Sequence, residues 1–211
     1  EPSDFQPRNS VGYLLTYGVR LLQAAGFCDD LVSEIEAAVI DYDSNYDGIE
    51  DCAKAVAEWI NGNIPIVYST ASLFNSLART TKIKFNENAK YPAFAGALPE
   101  INHNEMIGFE SDIGTGFRIL YLSDPSDSDA VINRFATMSR LFEERGYSHV
   151  QTRKVDLIGD TRLGRVLGGI SFGDWCSYHL AMLRGVDPTP VDFIEDFKAE
   201  LAKTAVLPEA D

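Results

Sequence analysis

Short apolar runs alternate with amphipathic helical segments through much of this chain, and this alternation constrains its fold more than any other feature. The run IPIVY at 64–68 is followed by apolar residues at helical spacing over 72–86. The order repeats with a strand at 117–122, a helix at 127–145 and a third strand at 149–157. Alternating strands and helices favour a parallel sheet covered by helices on both faces. We therefore predict an α/β fold, a three-layer α/β/α sandwich preceded by N-terminal helices.

Helical patterns also fill both ends of the sequence. Apolar spacing and flanking cap residues predict three helices before the first strand and two after the last, at 10–25, 29–40, 49–61, 162–183 and 190–203. The acidic stretch DYDSNYDG at 41–48 breaks this pattern and predicts a loop between the second and third helices. For the domain organisation, we predict a linker at 1–9, a single domain at 10–205 and a tail at 206–211.

The sequence gives little support for a metal or redox site. Asp41, Asp43, Asp47 and Gly48 invite comparison with a calcium loop, but their spacing differs from the EF-hand pattern and no glutamate stands at the distance of its closing ligand. The three cysteines are widely spaced and include no CxxC pair. That spacing argues against a zinc site or a disulfide framework and favours a reducing cytoplasm. We predict no metal and no cofactor.

The charge and hydropathy of the chain exclude some classes of partner. Its formal net charge is −14 over 211 residues, whereas non-specific nucleic-acid binding needs a basic surface. No apolar stretch approaches the roughly 20 residues that cross a bilayer. We therefore predict neither a nucleic-acid partner nor a membrane partner. An anionic small molecule is compatible with this composition, because a local group of donors can bind phosphate on an acidic protein.

The segment FNENAKYPAFAGALPEINHNEM, at 85–106, carries the strongest chemical signal. Glu87 and His103 lie sixteen residues apart in it, and a carboxylate with an imidazole can move protons between carbon and oxygen. Glu87 stands between Asn86 and Asn88, whose amides can orient its carboxylate or bind a polyol. A helix end that frays into polar residues is the alternative interpretation.

His103 lies beside a local structural signal. Asn102 and Glu105 have the N-x-x-E spacing that resembles a capping box, which predicts a helix start and leaves His103 unexplained. A histidine in this position is a candidate acid or base. A structural role for it is an equally open interpretation.

Four further positions extend the candidate site. Ser69 and Thr70 follow the first strand, where parallel sheets bind ligands, although helix capping also explains them. Thr189 is predicted to cap the last helix, with Pro190 at its first position. Lys198 borders the apolar stripe of that helix and can aim its ammonium group into a cleft, a solvated lysine being the alternative. The stripe, which is predicted to be buried, consists of Pro190, Ile194, Phe197 and Leu201.

Three segments of the chain resemble one enzyme family. FNENAK at 85–90, PAFAGALPEINHNEM at 92–106 and LAMLRGVDPTPV at 180–191 are similar to the C-terminal half of the bifunctional phosphoglucose/phosphomannose isomerases. The resemblance implies the second of two sugar isomerase (SIS) domains, each a parallel sheet flanked by helices. It also implies isomerisation of glucose 6-phosphate or mannose 6-phosphate to fructose 6-phosphate, through an enediolate and without a metal.

The same resemblance implies roles for the candidate residues. Glu87 resembles the base that carries a proton between C1 and C2, His103 a ring-opening group and Lys198 its partner in that step. The candidate substrate-binding residues are Asn86, Asn88, Ser69, Thr70 and Thr189. Because the family's sites form at a dimer interface, the resemblance implies a homodimer in which His103 serves the neighbouring subunit.

Departures from the family keep a second hypothesis open. The chain lacks the N-terminal SIS domain and its serine- and threonine-rich phosphate pocket, so we expect weak activity or none from the chain alone. Val191 stands where we expect a threonine linked to mannose substrates. The alternative hypothesis is a non-catalytic SIS module that binds a phosphosugar and regulates a partner. Retention of Glu87, His103 and Lys198 favours the enzyme.

Overall fold

A parallel sheet forms the centre of the protein, as the alternation of strands and helices predicts. The computed structural model describes residues 6–29 and 31–204. The strands are β1 Ile64–Thr70, β2 Phe94–Leu98, β3 Phe117–Ser123 and β4 Val150–Asp156. They pair in parallel in the order β2-β1-β3-β4.

Helices and short helical turns precede, connect and follow these strands within the described residues. The α-helices are α1 Val11–Ala24, α2 Val32–Ile60, α3 Arg79–Glu87, α4 Asp129–Glu144, α5 Arg162–Leu183 and α6 Asp192–Thr204. A π-helical turn precedes α3 at Phe74–Ala78, and 3-10 turns span Pro7–Asn9, Glu100–Asn102 and Glu105–Glu110. The helices predicted at 10–25, 127–145 and 162–183 are confirmed to within two residues at each end.

Side chains alternate between the two faces of the sheet and fill a core on each side. Val67 and Leu120 point to the face that is covered by α2, α3 and α5. Tyr68 and Tyr121 point to the opposite face and pack with Phe135 of α4. The central strands are buried on both faces, which is why they are continuous apolar runs in the sequence. The predicted three-layer sandwich is confirmed.

Helix α2 runs unbroken through the acidic stretch at 41–48, so the predicted loop is wrong. Ile49 and Ala53 on one face of the helix are buried in the core against α5. Asp43 and Gly48 are exposed to solvent on the same continuous helix. Burial of the apolar face outweighs the low helix propensity of the aspartates and the glycine.

Strand β2 has no counterpart among the predicted strands. Its sequence FAGAL lacks the β-branched residues that mark strands. It pairs with β1 from Phe94 to Leu98 and forms one edge of the sheet. A Cβ at Gly96 would lie 2.5 Å from Cγ2 of Ile101, so only glycine fits beneath the following 3-10 turn.

The terminal helices α1 and α6 contain no buried residues. Helix α6 begins at Asp192, so the predictions that Thr189 caps it and that its apolar stripe is buried are wrong. The helical members of that stripe are all at least 40% exposed: Ile194, Phe197 and Leu201. No helix in the described part of the chain is long and apolar enough to cross a membrane. The predicted tail at 206–211 lies outside the described residues.

Candidate functional site

The C-terminal end of α3 meets the loop that follows α5, and this junction carries Glu87. Lys90 adopts a φ of +50° and ends the helix. Its Nζ donates to the carbonyl oxygens of Glu87 at 2.8 Å and Pro188 at 3.1 Å. Arg184, just after α5, donates from Nη1 to the carbonyl oxygen of Ala89 at 2.7 Å. These cations bind carbonyl groups at and after the end of α3 and one in the loop after α5, and so fix the backbone around Glu87.

Arg8 occupies the centre of the junction. Its Nε donates to Oδ1 of Asn88 at 2.8 Å, and its Nη2 donates to the carbonyl oxygens of Pro188 and Thr189 at 3.0 and 2.9 Å. A guanidinium holds its donors in a rigid plane, so these partners on two elements fix its orientation. Its Nη1 lies 3.7 Å from Oε2 of Glu87. The carboxylate therefore faces a fixed positive charge.

The turn that carries Arg8 lies within the segment 1–9, whose composition predicts a linker. Of that segment the structure describes residues 6–9, which include the 3-10 turn Pro7–Asn9. The side chain of Arg8 is only 9% exposed. This short segment therefore belongs to the wall of the candidate site.

An ion pair between buried Lys84 and partly exposed Asp174 lies against the Arg8 turn. Lys84 is 2% exposed, and its Nζ donates to Oδ1 of Asp174 at 2.5 Å. The same Nζ donates to the carbonyl oxygen of Arg8 at 2.5 Å and to Oδ1 of Asn9 at 3.1 Å. Burial raises the pKa of Asp174, and the charge of Lys84 opposes that rise. The three donors of one ammonium group thus join α3, α5 and the turn.

A cleft of about 520 Å³ opens beside Arg8, within the range of small-molecule sites. Trp175 and Tyr178 of α5 form an aromatic wall, and Asn88 and Asp174 add polar groups opposite the loop at 188–189. Aromatic faces beside hydrogen-bonding groups suit a ligand with both apolar and polar surfaces.

The two amides that flank Glu87 bind other groups than its carboxylate. Asn86 donates from Nδ2 to the carbonyl oxygen of Tyr91 at 2.8 Å. Asn88 is buried, accepts from Arg8 and donates to Oγ of Ser177 at 2.9 Å. Asn86 therefore closes the loop after α3, and Asn88 holds the arginine that faces Glu87.

His103 lies at the opposite end of strand β2 from Glu87. Helix α3 returns from the carboxyl end of β1 to the amino end of β2, whereas His103 follows the carboxyl end of β2. The five residues of β2 span about 16 Å at the usual rise per residue. Within one chain, the topology therefore places the carboxylate and the exposed imidazole at opposite ends of this strand.

The capping box predicted around His103 is wrong. Asn102 lies inside the 3-10 turn Glu100–Asn102, and its Nδ2 contacts Sδ of Met106 at 3.3 Å. Glu105 instead accepts a hydrogen bond from the hydroxyl of buried Tyr68 at 2.9 Å. This bond ties the segment after His103 to the central strand β1.

Ser69, Thr70 and His103 all lie at the carboxyl ends of the strands. Ser69 is fully buried, and its hydroxyl donates to the carbonyl oxygen of Thr70 at 3.1 Å. The hydroxyl of Thr70 lies 3.2 Å from that of Ser72, which is exposed. Thr70 and Ser72 therefore present a pair of hydroxyls at the carboxyl end of β1, whereas the hydroxyl of Ser69 binds the backbone.

Lys198 and Thr189 differ in their relation to Glu87. Thr189 contributes its carbonyl oxygen to the Arg8 cluster and lines the cleft. Lys198 is 63% exposed on α6 and donates to Oε1 of Glu195 at 2.8 Å. Of the predicted site residues, the structure thus gathers Glu87, Asn88 and Thr189 in one cluster.

Sequence reasoning missed Arg8, Lys84 and Asp174, which build the wall of this cluster. Arg8 is in a polar, proline-containing stretch that carries no periodic signal. Lys84 had a detectable signal, because it lies on the same helical stripe as the buried Leu77 and Thr81. A charged residue on a buried stripe indicates a buried partner.

Comparison with known proteins places these residues in a family. Residues 49–201 match the model of the bacterial phospho-glucose isomerase C-terminal SIS domain. The bifunctional phosphoglucose/phosphomannose isomerase of Aquifex aeolicus is 35% identical over 205 residues, which are 97% of this chain. The chain spans 61% of the length of that relative.

Solved structures share the fold. A glucose-6-phosphate isomerase-like protein from Thermus thermophilus has a TM-score of 0.53 and 25% identity over 69% of this chain and 46% of its own. Glucosamine-6-phosphate deaminase from Thermotoga maritima has a TM-score of 0.57 and 14% identity over 90% of this chain and 56% of its own. The second likeness supports the fold alone, and the family match covers more than half of the sequence. The chain belongs to the family of bacterial phospho-glucose isomerase C-terminal SIS domains.

Proposed function

We propose that this chain supplies the proton-transfer part of an aldose–ketose isomerase for hexose 6-phosphates. The reaction interconverts glucose 6-phosphate or mannose 6-phosphate with fructose 6-phosphate, without a metal. One observation carries the proposal: in a member of this family, the partly exposed carboxylate of Glu87 faces the anchored guanidinium of Arg8 at 3.7 Å.

The chemistry needs a base and a nearby positive charge. Glu87 removes the proton from C2 of the open-chain aldose, and the electron pair of that bond forms the C1–C2 double bond of an enediolate. Return of the proton to C1, with transfer of the hydroxyl proton from O2 to O1, gives the ketose. Arg8 stabilises the negative charge that develops on the oxygens, the kind of electrostatic contribution on which such reactions depend.

The remaining groups open the sugar ring and bind the substrate. His103 and Lys198 transfer protons between the ring oxygen and the anomeric hydroxyl. The proposed substrate-binding residues are Ser69, Thr70, Asn86, Asn88 and Thr189. Ser69, Asn86 and Asn88 act indirectly, because their side chains bind the backbone or Arg8. We further propose a cytoplasmic homodimer in which His103 reaches the neighbouring subunit's Glu87, because His103 and Glu87 of one chain lie at opposite ends of strand β2.

The phosphate of the substrate requires its own binding site. The chain spans 61% of the Aquifex relative, and we propose that the rest of such a protein binds the phosphate. Binding energy from a remote phosphate drives chemistry at the reacting carbon. The chain is therefore expected to have weak activity or none by itself.

Deuterium exchange tests the proposal. The natural protein that contains this chain, and the chain alone, are incubated with fructose 6-phosphate in deuterated water, and deuterium at C2 of the aldose product is followed by NMR. We expect exchange with the natural protein and little or none with the chain alone. Absence of exchange from both, with measurable binding of the sugar phosphate, would contradict the isomerase.

A non-catalytic SIS module that binds a phosphosugar and regulates a partner is the second candidate. One observation favours it: Lys198 is exposed and paired with Glu195, apart from the Arg8 cluster. This candidate predicts sugar-phosphate binding that is unaffected by Glu87→Gln and is never accompanied by exchange.

A further inference from the structure

Lys84 combines nearly complete burial with a full set of polar partners. It is 2% exposed, and its three donors bind Asp174, the carbonyl oxygen of Arg8 and Oδ1 of Asn9. A buried lysine is rare unless it is paired. Its position on α3 is one helical turn before Asn88.

Two anchors act on opposite ends of the same arginine. Lys84 binds the carbonyl oxygen of Arg8 at 2.5 Å and so fixes its backbone. Asn88 accepts from Nε at 2.8 Å and so fixes its side chain. Lys84 lies in α3, the helix that ends at Glu87, and Asn88 is the residue that follows this helix. These contacts therefore fix the position of the Arg8 guanidinium relative to the helix that carries the Glu87 carboxylate.

We infer that Lys84, held by Asp174, is a positioning residue that sets the guanidinium of Arg8 against Glu87. The inference rests on the proposed function for its catalytic consequence. Lys84 acts through Arg8 and has no role of its own at the substrate. Replacement of Lys84 and Asp174 keeps Arg8 itself but removes the contacts by which Lys84 holds the turn Pro7–Asn9 to α3.

The competing interpretation is that the pair only joins two helices. Helices α3 and α5 pack closely, since a Cβ at Gly173 would lie 2.9 Å from Oγ1 of Thr81. In that case removal of the pair changes stability and leaves the orientation of Arg8 unchanged. The two interpretations therefore differ in what happens to Arg8.

The test removes both charges together. Lys84→Met combined with Asp174→Asn removes both charges, so neither residue is left as an unpaired charge. Lys154→Met with Asp156→Asn is the matched control, because it removes an exposed pair of similar length, 2.7 Å, on β4. All variants are made in the natural protein that contains this chain, with and without Arg8→Ala.

The first readout is independent of activity. The Nε–H proton of Arg8, assigned by its loss in Arg8→Ala, is followed by NMR for exchange with water. We expect slow exchange in the wild type and in the control pair, and exchange at least tenfold faster in the Lys84/Asp174 variant. Equal protection in all three proteins would overturn the inference, whether or not the protein is an isomerase.

The second readout is a double-mutant cycle on kcat, measured from deuterium exchange. Misplacement of a catalytic group by about 1 Å lowers rates on the order of 10²-fold, so we expect such a fall with KM nearly unchanged. In the Arg8→Ala background the same pair of substitutions should have no further effect. An equal fall in kcat in both backgrounds would overturn the inference. If the wild type shows no deuterium exchange into the sugar but its Arg8 Nε–H proton is protected as expected, the proposed function is refuted and the positioning of Arg8 is not.

Discussion

Nη1 of Arg8 lies 3.7 Å from Oε2 of Glu87, although the two residues are far apart in the chain. The guanidinium is anchored by Asn88 and by two carbonyl oxygens of the loop after α5, so its charge is oriented before any substrate arrives. Charge that is fixed in advance needs no reorganisation when an anion forms during the reaction. This relationship connects the sequence signal around Glu87 with a segment that carried no signal of its own.

Replacement of Glu87 by glutamine should remove the base and keep its shape. We expect kcat to fall by roughly 10²–10⁴ or more, the usual contribution of general acid–base catalysis, with little change in substrate binding. Deuterium exchange at C2 measures the effect. Glu144→Gln is the control, because Glu144 is an exposed glutamate that pairs with Arg140 on the surface. An unchanged rate for Glu87→Gln would exclude Glu87 as the base.

Replacement of Arg8 by lysine should keep the charge and lose the geometry. A lysine cannot bind Asn88 and both carbonyl oxygens in one plane, so we expect a fall in kcat on the order of tenfold or more. A fall in kcat with KM nearly unchanged distinguishes this role from simple substrate binding. Arg140→Lys, on the exposed surface of α4, should leave kcat unchanged. Equal kcat and KM for Arg8→Lys and the wild type would show that catalysis does not require a fixed guanidinium.

The fold was predictable where burial produced a periodic pattern. The central strands are apolar throughout because both faces are covered, and α5 has the predicted bounds. Prediction failed at α2 and β2 for tertiary reasons. Helix α2 passes through Gly48 because its other face packs on α5, and β2 depends on the close approach that Gly96 allows.

The candidate site was only partly predictable for a similar reason. Glu87 and Asn88 stand in one short motif, so local sequence reveals them. The roles of Arg8 and Asp174 arise from contacts between distant segments, which no local pattern records. A family resemblance transfers residues by motif and does not reveal the partners that hold them.

Two glycine substitutions should have opposite effects on stability. Gly48 lies in the exposed interior of α2 with nothing within 4 Å of an added Cβ, so Gly48→Ala should stabilise the protein by about 1 kcal/mol. A Cβ at Gly169 would lie 2.8 Å from Cδ2 of Leu77 and 3.0 Å from Cδ2 of Leu157. Gly169→Ala should therefore destabilise by about 1–3 kcal/mol through overpacking.

Urea denaturation measures both effects as changes in the free energy of unfolding. Each alanine variant serves as the control for the other, since both remove a helical glycine. A destabilising Gly48→Ala would contradict the continuous helix through 41–48. A neutral Gly169→Ala would contradict the close packing of α5 on the π-helical turn.

Asp41 should make stability depend on acid pH. Backbone N–H groups of Thr161 and Asp160 donate to its carboxylate and hold its pKa below the usual range. A carboxyl group whose pKa is lowered on folding stabilises the protein above its unfolded pKa of about 3.9. That stabilisation is lost as the pH falls through the lower, folded pKa.

Asp41→Asn removes the negative charge that faces the N–H groups just before α5, so it should lower stability by roughly 0.3–1 kcal/mol at pH 7 and by less at pH 3. The free energy of unfolding at a series of pH values from 7 to about 3 measures this difference. Asp43→Asn, an exposed aspartate on the same helix, is the control. Parallel curves for Asp41→Asn and the wild type would contradict the lowered pKa.

Complementation between subunits tests whether His103 acts across a dimer interface. Glu87→Gln and His103→Ala should each strongly lower exchange, but co-expression of the two should restore part of it, because a mixed dimer contains one site with both natural residues. Random mixing of a two-fold dimer predicts recovery of about a quarter of the wild-type activity. Glu87→Gln mixed with Arg8→Ala is the control, since both residues lie in one subunit's junction and no mixed dimer regains an intact site. Equal activity in the two mixtures would show that His103 serves the Glu87 of its own chain or neither.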